Sequence, residues 1–274
     1  MTRILILSNM IGSGLKDDTL LKNSFEEDGN IVDLKKINFD EKYDDQYDVI
    51  IRRNTWVSTE EDTIQLYQDN LKLIDRLKNK KVKTVNLEGL DGIGKGYLCE
   101  LFKNNASVIP TISSINDFDK LPVCSKYVVK TIKSFGNGLF QKVVAANDVK
   151  EIYNEGDIIQ PFMQFKSEIQ CYYVGQKLMY IFEYTPSKYP HYPEPTMINF
   201  NDEEIKIADE FARYSNLKYG FQRIDFLRLE DDRLLLMEIE DHAAFMNLQR
   251  LPKTCFNEVM DEFKKNIYSY LSIK

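Results

Sequence analysis

This sequence has few histidines, a single tryptophan and no surplus of basic residues. It contains 2 histidines and 1 tryptophan in 274 residues. So few histidines argue against a histidine-rich metal site. The net charge of −7, with acids and bases interspersed, argues against a general nucleic-acid binder, which carries a basic stripe. An anionic ligand in a local basic pocket stays compatible with this charge.

Long apolar runs and paired cysteines are also missing. No stretch approaches the roughly 20 apolar residues of a membrane span. The N-terminal run MTRILILSNM is too short for a signal peptide and lacks a cleavage pattern. The four cysteines are scattered without a CxxC motif, which predicts reduced core thiols in a cytoplasmic protein. They are Cys99, Cys124, Cys171 and Cys255.

The first 88 residues predict an open parallel α/β domain, because short apolar runs alternate with helical stretches. A Gly12-Ser13-Gly14 loop after the first run leaves a dinucleotide-binding fold open as an alternative. The third glycine of that fingerprint is missing. The predicted strands are 3–8, 31–34, 48–52 and 82–87, and the predicted helices are 17–27 and 60–79.

Two adjacent arginines, Arg52 and Arg53, stand at the carboxyl end of a predicted strand. Open α/β sheets bind their ligands at this end of the strands. The pair is therefore a candidate for holding a substrate carboxylate. A surface pair that caps the strand end is an equal alternative.

The most informative stretch is 220–246, in which two apolar runs flank a charged turn. Residues two apart in a strand share a face, so Arg223 and Asp225 lie together on the first run. Glu238 and Glu240 lie together on the second. If the turn closes a hairpin, the two faces coincide, and three carboxylates and one guanidinium point at one place.

Three neighbouring carboxylates need compensation, because each raises the cost of ionising the others. A hard divalent cation with oxygen ligands supplies it, and Mg²⁺ usually brings a phosphate. The alternative is a solvated strand face with alternating charges. The apolar neighbours of Asp225, Ile224 and Phe226, count against a strand bathed on both sides.

Residues 89–95, GLDGIGK, fit the GxxxxGK pattern of a P-loop, between a predicted strand and a predicted helix at 96–104. The next position is Gly96, where a P-loop has the serine or threonine that holds Mg²⁺. The stretch resembles the start of a thymidylate-kinase-type P-loop without its magnesium ligand. Alternatively, Lys95 is a lysine at a helix start with no ligand.

A predicted strand at 126–130 ends on Lys130, shortly before the glycine-rich loop 134–138. Glycine amides can face anionic oxygens, and the lysine ahead of them is placed to meet phosphate. An ordinary hairpin turn fits the same residues equally well. Further predicted elements are strand 157–163, a strand pair 168–175 and 177–185, a proline-rich loop 185–196, and helices 202–215 and 255–271.

From about Asn86 to Leu248 the chain resembles the ATP-grasp superfamily. The closest likeness is to carboxylate–amine ligases such as D-alanine–D-alanine ligase, prokaryotic glutathione synthetase and the glutamate ligases of ribosomal proteins. The most specific element is QRIDF at 222–226 followed by MEIE at 237–240. The family has an Arg-x-Asp strand there, and then Glu-x-Asn.

The resemblance implies an α/β ATP-grasp fold behind an N-terminal open parallel α/β domain. The implied divisions are an N-terminal domain at 1–88, a central lid subdomain at 89–163 and a C-terminal subdomain with the metal site at 164–274.

The resemblance also implies roles for individual residues. Asp225, Glu238 and Glu240 are the implied ligands of Mg²⁺ or Mn²⁺, and Arg223 and Lys188 the implied catalytic cations at the transferred phosphate. The implied nucleotide-binding residues are Lys95 and Lys130 at the phosphates, Ser134, Gly136 and Gly138 in the lid loop, Gln160, Pro161, Phe162 and Met163 at the adenine, and Glu168 at the ribose.

The sequence departs from the family at three places. Glu240 stands where asparagine is usual, which adds a negative charge to the metal site. The family's Ser-Pro-Gly after that position is replaced by residues 241–244, DHAA, and Gln160 stands where glutamate is common. His242 in the altered loop is a candidate base for the incoming amine, or a loop histidine without chemistry.

The expected function is an ADP-forming ligase that joins a carboxylate to an amine through an acyl phosphate, using ATP and Mg²⁺. A carboxylate needs a better leaving group before an amine can attack it, and positioned cations promote the phosphoryl transfer that provides one. The expected partners are small-molecule substrates, either amino acids or peptide-like compounds, without nucleic acid or membrane. Dimers are frequent in the family, which makes a homodimer an expectation by analogy. The alternatives are an ATP-binding regulatory module and a P-loop nucleotide kinase.

Overall fold

A computed structural model describes residues 1–8, 12–36, 41–53, 60–78, 80–87, 89–90, 94–132, 141–186, 194–241 and 247–273. The α-helices are α1 Gly12–Glu27, α2 Glu60–Lys78, α3 Tyr97–Lys103, α4 Val149–Ile152, α5 Asp202–Tyr214 and α6 Lys253–Ser272. The 3-10 helices are Glu41–Gln46, Ile115–Lys120, Ala146–Asp148 and Leu248–Arg250. The strands are β1 Arg3–Leu7, β2 Ile31–Lys35, β3 Val49–Arg52, β4 Lys83–Val85, β5 Lys126–Thr131, β6 Gln141–Ala145, β7 Asp157–Pro161, β8 Ser167–Val174, β9 Lys177–Tyr184, β10 Thr196–Ile198, β11 Phe221–Arg228 and β12 Leu234–Glu240.

The N-terminal strands form the predicted parallel sheet, in the order β2-β1-β3-β4. Its two faces are covered by different helices because side chains alternate along each strand. Ile4 shares a buried cluster with Phe25 of α1, whereas Leu5 shares another with Leu73 of α2. The lobe therefore has three layers.

The first helix differs from the prediction at its start. We expected a glycine loop at 12–14 and a helix from 17, but α1 begins at Gly12. The first turn of a helix has no intrahelical partner for its N–H groups, so helix-breaking residues there cost less than they do further along. The two glycines therefore belong to the helix, and the looped glycine pair on which the dinucleotide alternative depended is not formed.

Two antiparallel sheets follow the parallel one. A three-stranded sheet has the order β6-β5-β7, and β7 ends at Pro161, two residues before the predicted end at 163, because proline has no N–H to donate. A five-stranded sheet has the order β10-β9-β8-β11-β12, with the predicted turn between β8 and β9 at Gly175. The last helix, α6, packs against this sheet and against α1.

The parallel sheet and the five-stranded sheet share one core. Ile4 and Phe25 cluster with Tyr172 of β8, Phe221 of β11 and Phe263 of α6. Because these side chains come from both ends of the sequence, burying them holds the N-terminal lobe against the sheet that carries the charged hairpin.

The cysteines are free, as predicted, but they are not all core residues. Only Cys171 is buried, and the other three are partly exposed. None of the helices in the described ranges is long and apolar enough to cross a membrane.

Asn86 joins the two ends of the β11–β12 hairpin to the end of β4. Its side-chain amide donates to the carbonyl oxygens of Phe221 (2.7 Å) and Asp241 (2.6 Å), and its Oδ1 accepts the N–H of Phe221 (3.1 Å). Asn86 has a left-handed backbone with φ of 58°, a conformation that asparagine tolerates well. One side chain therefore fixes the base of the hairpin.

Replacing Asn86 by alanine is expected to lower the free energy of unfolding by about 2–3 kcal/mol, because buried backbone groups lose their partners. Asn105→Ala is the matched control, since Asn105 is exposed and has the same φ of 58°. Denaturant unfolding of both variants separates the lost hydrogen bonds from the cost of alanine in a left-handed conformation. Equal losses in the two variants would show that the amide contacts contribute nothing.

Candidate functional site

The predicted hairpin forms, and its register brings the charged residues together. Arg223 of β11 lies opposite Glu240 of β12, and Asp225 lies opposite Glu238. A bulge follows Asp225, where the register shifts. The alternation that places these side chains on one face sends the intervening Ile224 and its apolar neighbours to the other. That opposite face packs on α3 and α5.

The site is buried, so a solvated strand face is the wrong interpretation. Asp225 has no exposed surface and Arg223 is 6% exposed. Carboxylate oxygens of Asp225, Glu238 and Glu240 all lie within 4.8 Å of one another. A donor set made only of carboxylate oxygens at this separation suits a hard cation such as Mg²⁺.

Arg223 provides the largest compensation for these charges in the described structure. It donates from Nε and Nη2 to the two oxygens of Asp225, both at 2.7 Å. Its Nη2 also lies 2.6 Å from Oε2 of Glu240. The additional negative charge of Glu240 is therefore met by the guanidinium. A metal that used all three carboxylates would share them with Arg223.

Lys95 compensates the remaining carboxylate by a direct hydrogen bond to Glu238. Its place is set by the neighbouring backbone, because the N–H of Lys95 donates to the carbonyl of Ile132 at 2.7 Å, just past β5. A Cβ on Gly96 would lie 2.9 Å from Cδ1 of Ile132, so glycine permits this close approach. The lysine predicted at the phosphates thus lies beside a predicted metal ligand.

The described glycines of the P-loop-like stretch have structural explanations of this kind. A Cβ on Gly89 would overlap the carboxylate of Asp241, which accepts the N–H of Leu90 at 2.7 Å. Gly94 has a φ of 86°. With Gly96 against Ile132, these contacts require glycine without any phosphate. Residues 91–93 lie outside the described structure.

Lys130 lies in the middle strand of the three-stranded sheet, opposite Gln141 of β6 and Ile158 of β7. Burial and the charge of Lys95 lower the pKa of Lys130 to about 7, against the opposing effect of Glu238. The two predicted phosphate lysines therefore lie close enough to influence each other. At pH 8 most of the Lys130 side chains are neutral.

The two carboxyls that face each other across the hairpin have opposite pKa shifts. Burial raises the pKa of Asp225 to about 7, although Arg223 opposes the shift. Burial also acts to raise the pKa of Glu238, but the charge and hydrogen bond of Lys95 outweigh it and lower that pKa to about 2. At neutral pH, Glu238 is therefore a permanent anion.

Nucleotide binding at pH 8 is expected to take up a proton at Lys130. Phosphate oxygens favour the charged lysine, so its pKa rises from about 7 when they bind. Calorimetry with MgATP in two buffers of different ionisation enthalpy measures the uptake. The part of the uptake that belongs to Lys130 is the difference between the wild type and Lys130→Met, which also removes the proton that Asp225 releases on binding the metal. This difference should approach one proton at pH 8 and fall towards zero at pH 6. Lys126→Met, which alters an exposed lysine of the same strand, should leave the uptake intact. An unchanged uptake in Lys130→Met would assign the proton to another group.

A row of polar side chains on β8 extends the site. Gln170 donates to Glu168 at 2.9 Å and accepts the hydroxyl of Tyr172 at 2.7 Å. The guanidinium carbon of Arg223 lies 5.9 Å from the centroid of the Tyr172 ring. Burial raises the pKa of Glu168. The charge of Glu238 acts in the same direction, and the charge of Arg223 opposes the shift. The ionisation of Glu168 therefore depends on the charged groups of the site.

Sequence reasoning selected Glu168 but missed Gln170 and Tyr172. The signal was present, because residues 168, 170 and 172 alternate along a strand and so share a face. Because Glu168 was a candidate, Gln170 and Tyr172 on the same face of β8 should have been candidates as well.

The predicted adenine hinge lies where the three-stranded sheet ends. Gln160 is buried and donates its side-chain amide to the hydroxyl of Thr111 at 2.9 Å. Phe162 donates its N–H to the carbonyl of Lys126 at 3.0 Å, and its ring is 47% exposed. Pro161 ends β7, and Met163 packs in a small apolar cluster that includes Leu227 of β11. The segment connects the two antiparallel sheets, as a hinge requires.

Arg52 and Arg53 are both buried, so the surface-pair alternative is wrong. Arg53 donates from Nε to Asp18 at 2.7 Å, and neither side chain has exposed surface. The guanidinium of Arg53 also lies 4.6 Å from the ring centroid of Phe221. The pair therefore lies at the boundary with the five-stranded sheet, and its role towards a substrate stays a prediction.

Asp17 was missed by sequence reasoning, which placed it at the start of the predicted helix 17–27 and gave it no role. Its Oδ2 accepts the N–H of Asn247 at 3.1 Å, and the side chain of Asn247 donates to the hydroxyl of Tyr184 at 2.8 Å. Burial raises the pKa of Asp17 to about 6, against the opposing charge of Arg53. These contacts fix the chain directly after residues 242–246.

Five predicted site residues lie outside the described residues, and their roles stay predictions. They are Ser134, Gly136, Gly138, Lys188 and His242. The strands on either side of residues 133–140, β5 and β6, pair antiparallel. Both alternatives for that stretch, a hairpin turn and a phosphate loop, are compatible with this pairing.

No protein-family profile and no curated protein matches the sequence. The structure, in contrast, resembles solved ATP-grasp ligases. D-cycloserine synthetase DcsG has a TM-score of 0.72 at 15% identity, covering 98% of this chain and 100% of that one. D-alanine–D-alanine ligase from Bacillus anthracis, complexed with ATP, has a TM-score of 0.68 at 12% identity, covering 99% of each chain. ATP-grasp ligase PsnB, complexed with minimal precursor, Mg and ADP, has a TM-score of 0.62 at 10% identity, covering 96% of each chain.

At these identities the likeness shows the fold, and it extends over nearly the whole of every chain compared. A parallel sheet followed by two antiparallel sheets is the architecture that the sequence resemblance implied. The expectation of fold is therefore confirmed: this chain has the ATP-grasp fold.

Proposed function

We propose that this protein is an ATP-dependent carboxylate–amine ligase that forms an amide bond and releases ADP. The observation that carries the proposal is the juxtaposition of Asp225, Glu238 and Glu240, within 4.8 Å of one another, with cations on two sides. The site lies in a fold whose solved neighbours are ligases, including one with ATP and one with Mg and ADP.

The three carboxylates are the groups that hold Mg²⁺ in this proposal, and they fit it by donor chemistry and spacing. The metal, when bound, neutralises charge on the phosphates during transfer. Lys95 and Lys130 would bind phosphate oxygens beside the metal ligands. Glu168 binds the ribose, and the hinge at 160–163 holds the adenine.

The chain's own residues then favour attack of the substrate carboxylate on the terminal phosphorus of ATP. The carboxylate oxygen forms the new P–O bond as the bond to ADP breaks, and the amine next displaces phosphate from the acyl carbon. Preorganised cations in a buried site stabilise the charge that develops, without needing to reorient. This chemistry uses no protein nucleophile.

The substrates are proposed to be an amino acid or a small peptide-like compound. Two buried arginines, Arg52 and Arg53, supply cations at the ligand-binding end of the parallel sheet, where a carboxylate would be recognised. Asn247 is held by Asp17 and Tyr184, and His242, five residues before it in the sequence, is the proposed base. A homodimer remains part of the proposal by analogy with the family.

The test is ADP release from ATP and Mg²⁺ in the presence of pools of amino acids and dipeptides. Stimulation by one pool, with ADP and phosphate as products, is the expected result. AMP and pyrophosphate as products would contradict acyl-phosphate chemistry. A stimulated ATP-dependent reaction that persisted in both Glu238→Gln and Lys130→Ala would show that this site does not carry it.

A second candidate function is an ATP-binding regulatory module without ligase turnover. The observation that favours it is the commitment of Arg223 to both Asp225 and Glu240. A guanidinium held by two carboxylates is less available to a transferring phosphoryl group. Tight MgATP binding with no stimulated release, followed by gain of turnover in Glu240→Asn, is the result that this alternative predicts.

A further inference from the structure

Tyr97 contacts the predicted metal strand at its open edge. The N–H of Ile239 donates to the hydroxyl oxygen of Tyr97 at 2.7 Å in a buried setting. In the described structure β12 is the outermost strand of its sheet, and its outer edge has one isolated parallel bridge, between Val108 and Leu236. An edge N–H that is buried without an acceptor is costly, so this hydroxyl takes the place of a neighbouring strand.

The position of this bond along β12 gives it a consequence for the site. Ile239 is the residue between Glu238 and Glu240, and its own side chain points into the apolar cluster on the opposite face. Fixing the backbone at Ile239 therefore fixes the origin of both carboxylate side chains. Further down the strand, the same edge is covered by backbone instead, where Leu236 donates to the carbonyl of Ser107 at 2.8 Å.

Tyr97 also belongs to the segment that carries Lys95. Lys95 bonds to Glu238 and Tyr97 bonds to the next residue, Ile239, so two side chains of one short segment hold consecutive residues of β12. The segment itself is fixed to the end of β5 through Ile132. The strand that carries Lys130 is thereby joined to the strand that carries the acidic groups.

We propose that Tyr97 is a positioning residue, which sets the relative placement of Glu238 and Glu240 for a divalent cation and couples it to the phosphate lysines. The inference rests on the proposed function, since it assumes that these carboxylates bind metal with the nucleotide. Tyr97 itself is not proposed to contact the metal or the nucleotide. It acts through the backbone of β12, as outer residues around metal sites act through the ligands they orient.

The test compares Tyr97→Phe with Tyr173→Phe. Tyr173 is another buried tyrosine whose hydroxyl makes a hydrogen bond, to Asp209 at 3.0 Å, from the face of β8 that packs on α5. Binding of Mn²⁺ is measured by electron paramagnetic resonance with a non-hydrolysable ATP analogue present, and exchange of the Ile239 amide is measured by hydrogen exchange. Tyr97→Phe should raise the Kd for Mn²⁺ about tenfold and speed exchange at Ile239. Tyr173→Phe should change neither, despite its lost hydrogen bond.

Each other outcome has a distinct meaning. Wild-type affinity for Mn²⁺ in Tyr97→Phe overturns the inference, and so does an equal loss in both variants, which would reflect general packing. Rapid exchange of the Ile239 amide in the wild type overturns it without any variant, so the test does not depend on folding of Tyr97→Phe. Failure of the wild type to bind Mn²⁺ with the analogue would instead refute the proposed function itself, and the positioning role with it.

Discussion

Replacing Arg223 by methionine is expected to lower the free energy of unfolding by about 3–5 kcal/mol, because removing one partner of a buried ion pair leaves uncompensated charge. Here the substitution removes the guanidinium from two carboxylates, Asp225 and Glu240, whose bonds to it are 2.6–2.7 Å long. Methionine keeps most of the buried apolar volume, so the effect reports charge and hydrogen bonding. Denaturant unfolding at pH 8 is the measurement.

The defect should shrink as the pH falls. Burial already raises the pKa of Asp225 to about 7 with the guanidinium present, and Arg223 is the group that opposes this rise. Without it the folded-state pKa is higher still. A carboxyl whose folded pKa exceeds its unfolded value lowers stability as pH rises between the two values. The part of the defect that comes from ionised Asp225 should therefore disappear near pH 5, whereas the loss of the hydrogen bonds remains.

Arg233→Met is the matched control. Arg233 bonds to Asp231 two residues away at 2.7 Å, the same spacing and length as the bond from Arg223 to Asp225, but it is 69% exposed. An exposed pair contributes little, so we expect a change within about 0.5 kcal/mol. Adding Glu240→Asn to Arg223→Met should recover part of the lost free energy of unfolding, because it removes one of the two uncompensated charges. Equal effects at positions 223 and 233, or no recovery, would show that burial of the charge does not matter.

The spacing of residues predicted the site's charged face, because strand alternation is a local rule. Arg223, Asp225, Glu238 and Glu240 needed only the period of two and one hairpin turn to meet, and they do. The parallel sheet was predictable for the same reason, since its strands are continuous apolar runs. Predictions of this kind depend on a few residues at a time.

What the sequence did not predict are contacts between distant segments. Nothing local indicates that Lys95 bonds to Glu238, that Tyr97 covers the edge at Ile239, or that Asn86 joins the ends of the hairpin. The glycines around Lys95 were misleading, since a close approach of another chain segment and a phosphate loop select the same residue. Arg53 was ambiguous because its partner, Asp18, comes from another element.

The prediction with the largest expected effect on activity is Glu238→Gln. It should lower kcat for ADP release by roughly 10²–10³-fold, the usual loss when one preorganised electrostatic contact at the reacting phosphate is removed. Glutamine keeps the shape and one oxygen but removes the charge. Glu238 carries that charge at neutral pH, because Lys95 outweighs burial and lowers the pKa of Glu238 to about 2.

Binding should change less than turnover. Lys95, released from Glu238, stays available to the phosphates, so the KM for ATP should move only a few-fold while kcat falls. A loss of this kind removes an interaction that matters chiefly in the transition state. The assay is ADP release at saturating ATP and Mg²⁺, with the pool that stimulates the wild type most.

Glu262→Gln is the control, because Glu262 also bonds to a lysine, Lys177, at 2.6 Å, in a pair whose lysine is 60% exposed. It should leave kcat and KM unchanged. If Glu238→Gln raised the KM for ATP strongly and left kcat intact, Glu238 would serve nucleotide binding through Lys95. It would then take no part in holding the metal. That outcome would leave the ligase proposal intact and assign the metal to Asp225 and Glu240. Arg223 already neutralises the charge that Glu240 adds in place of the asparagine usual in the family.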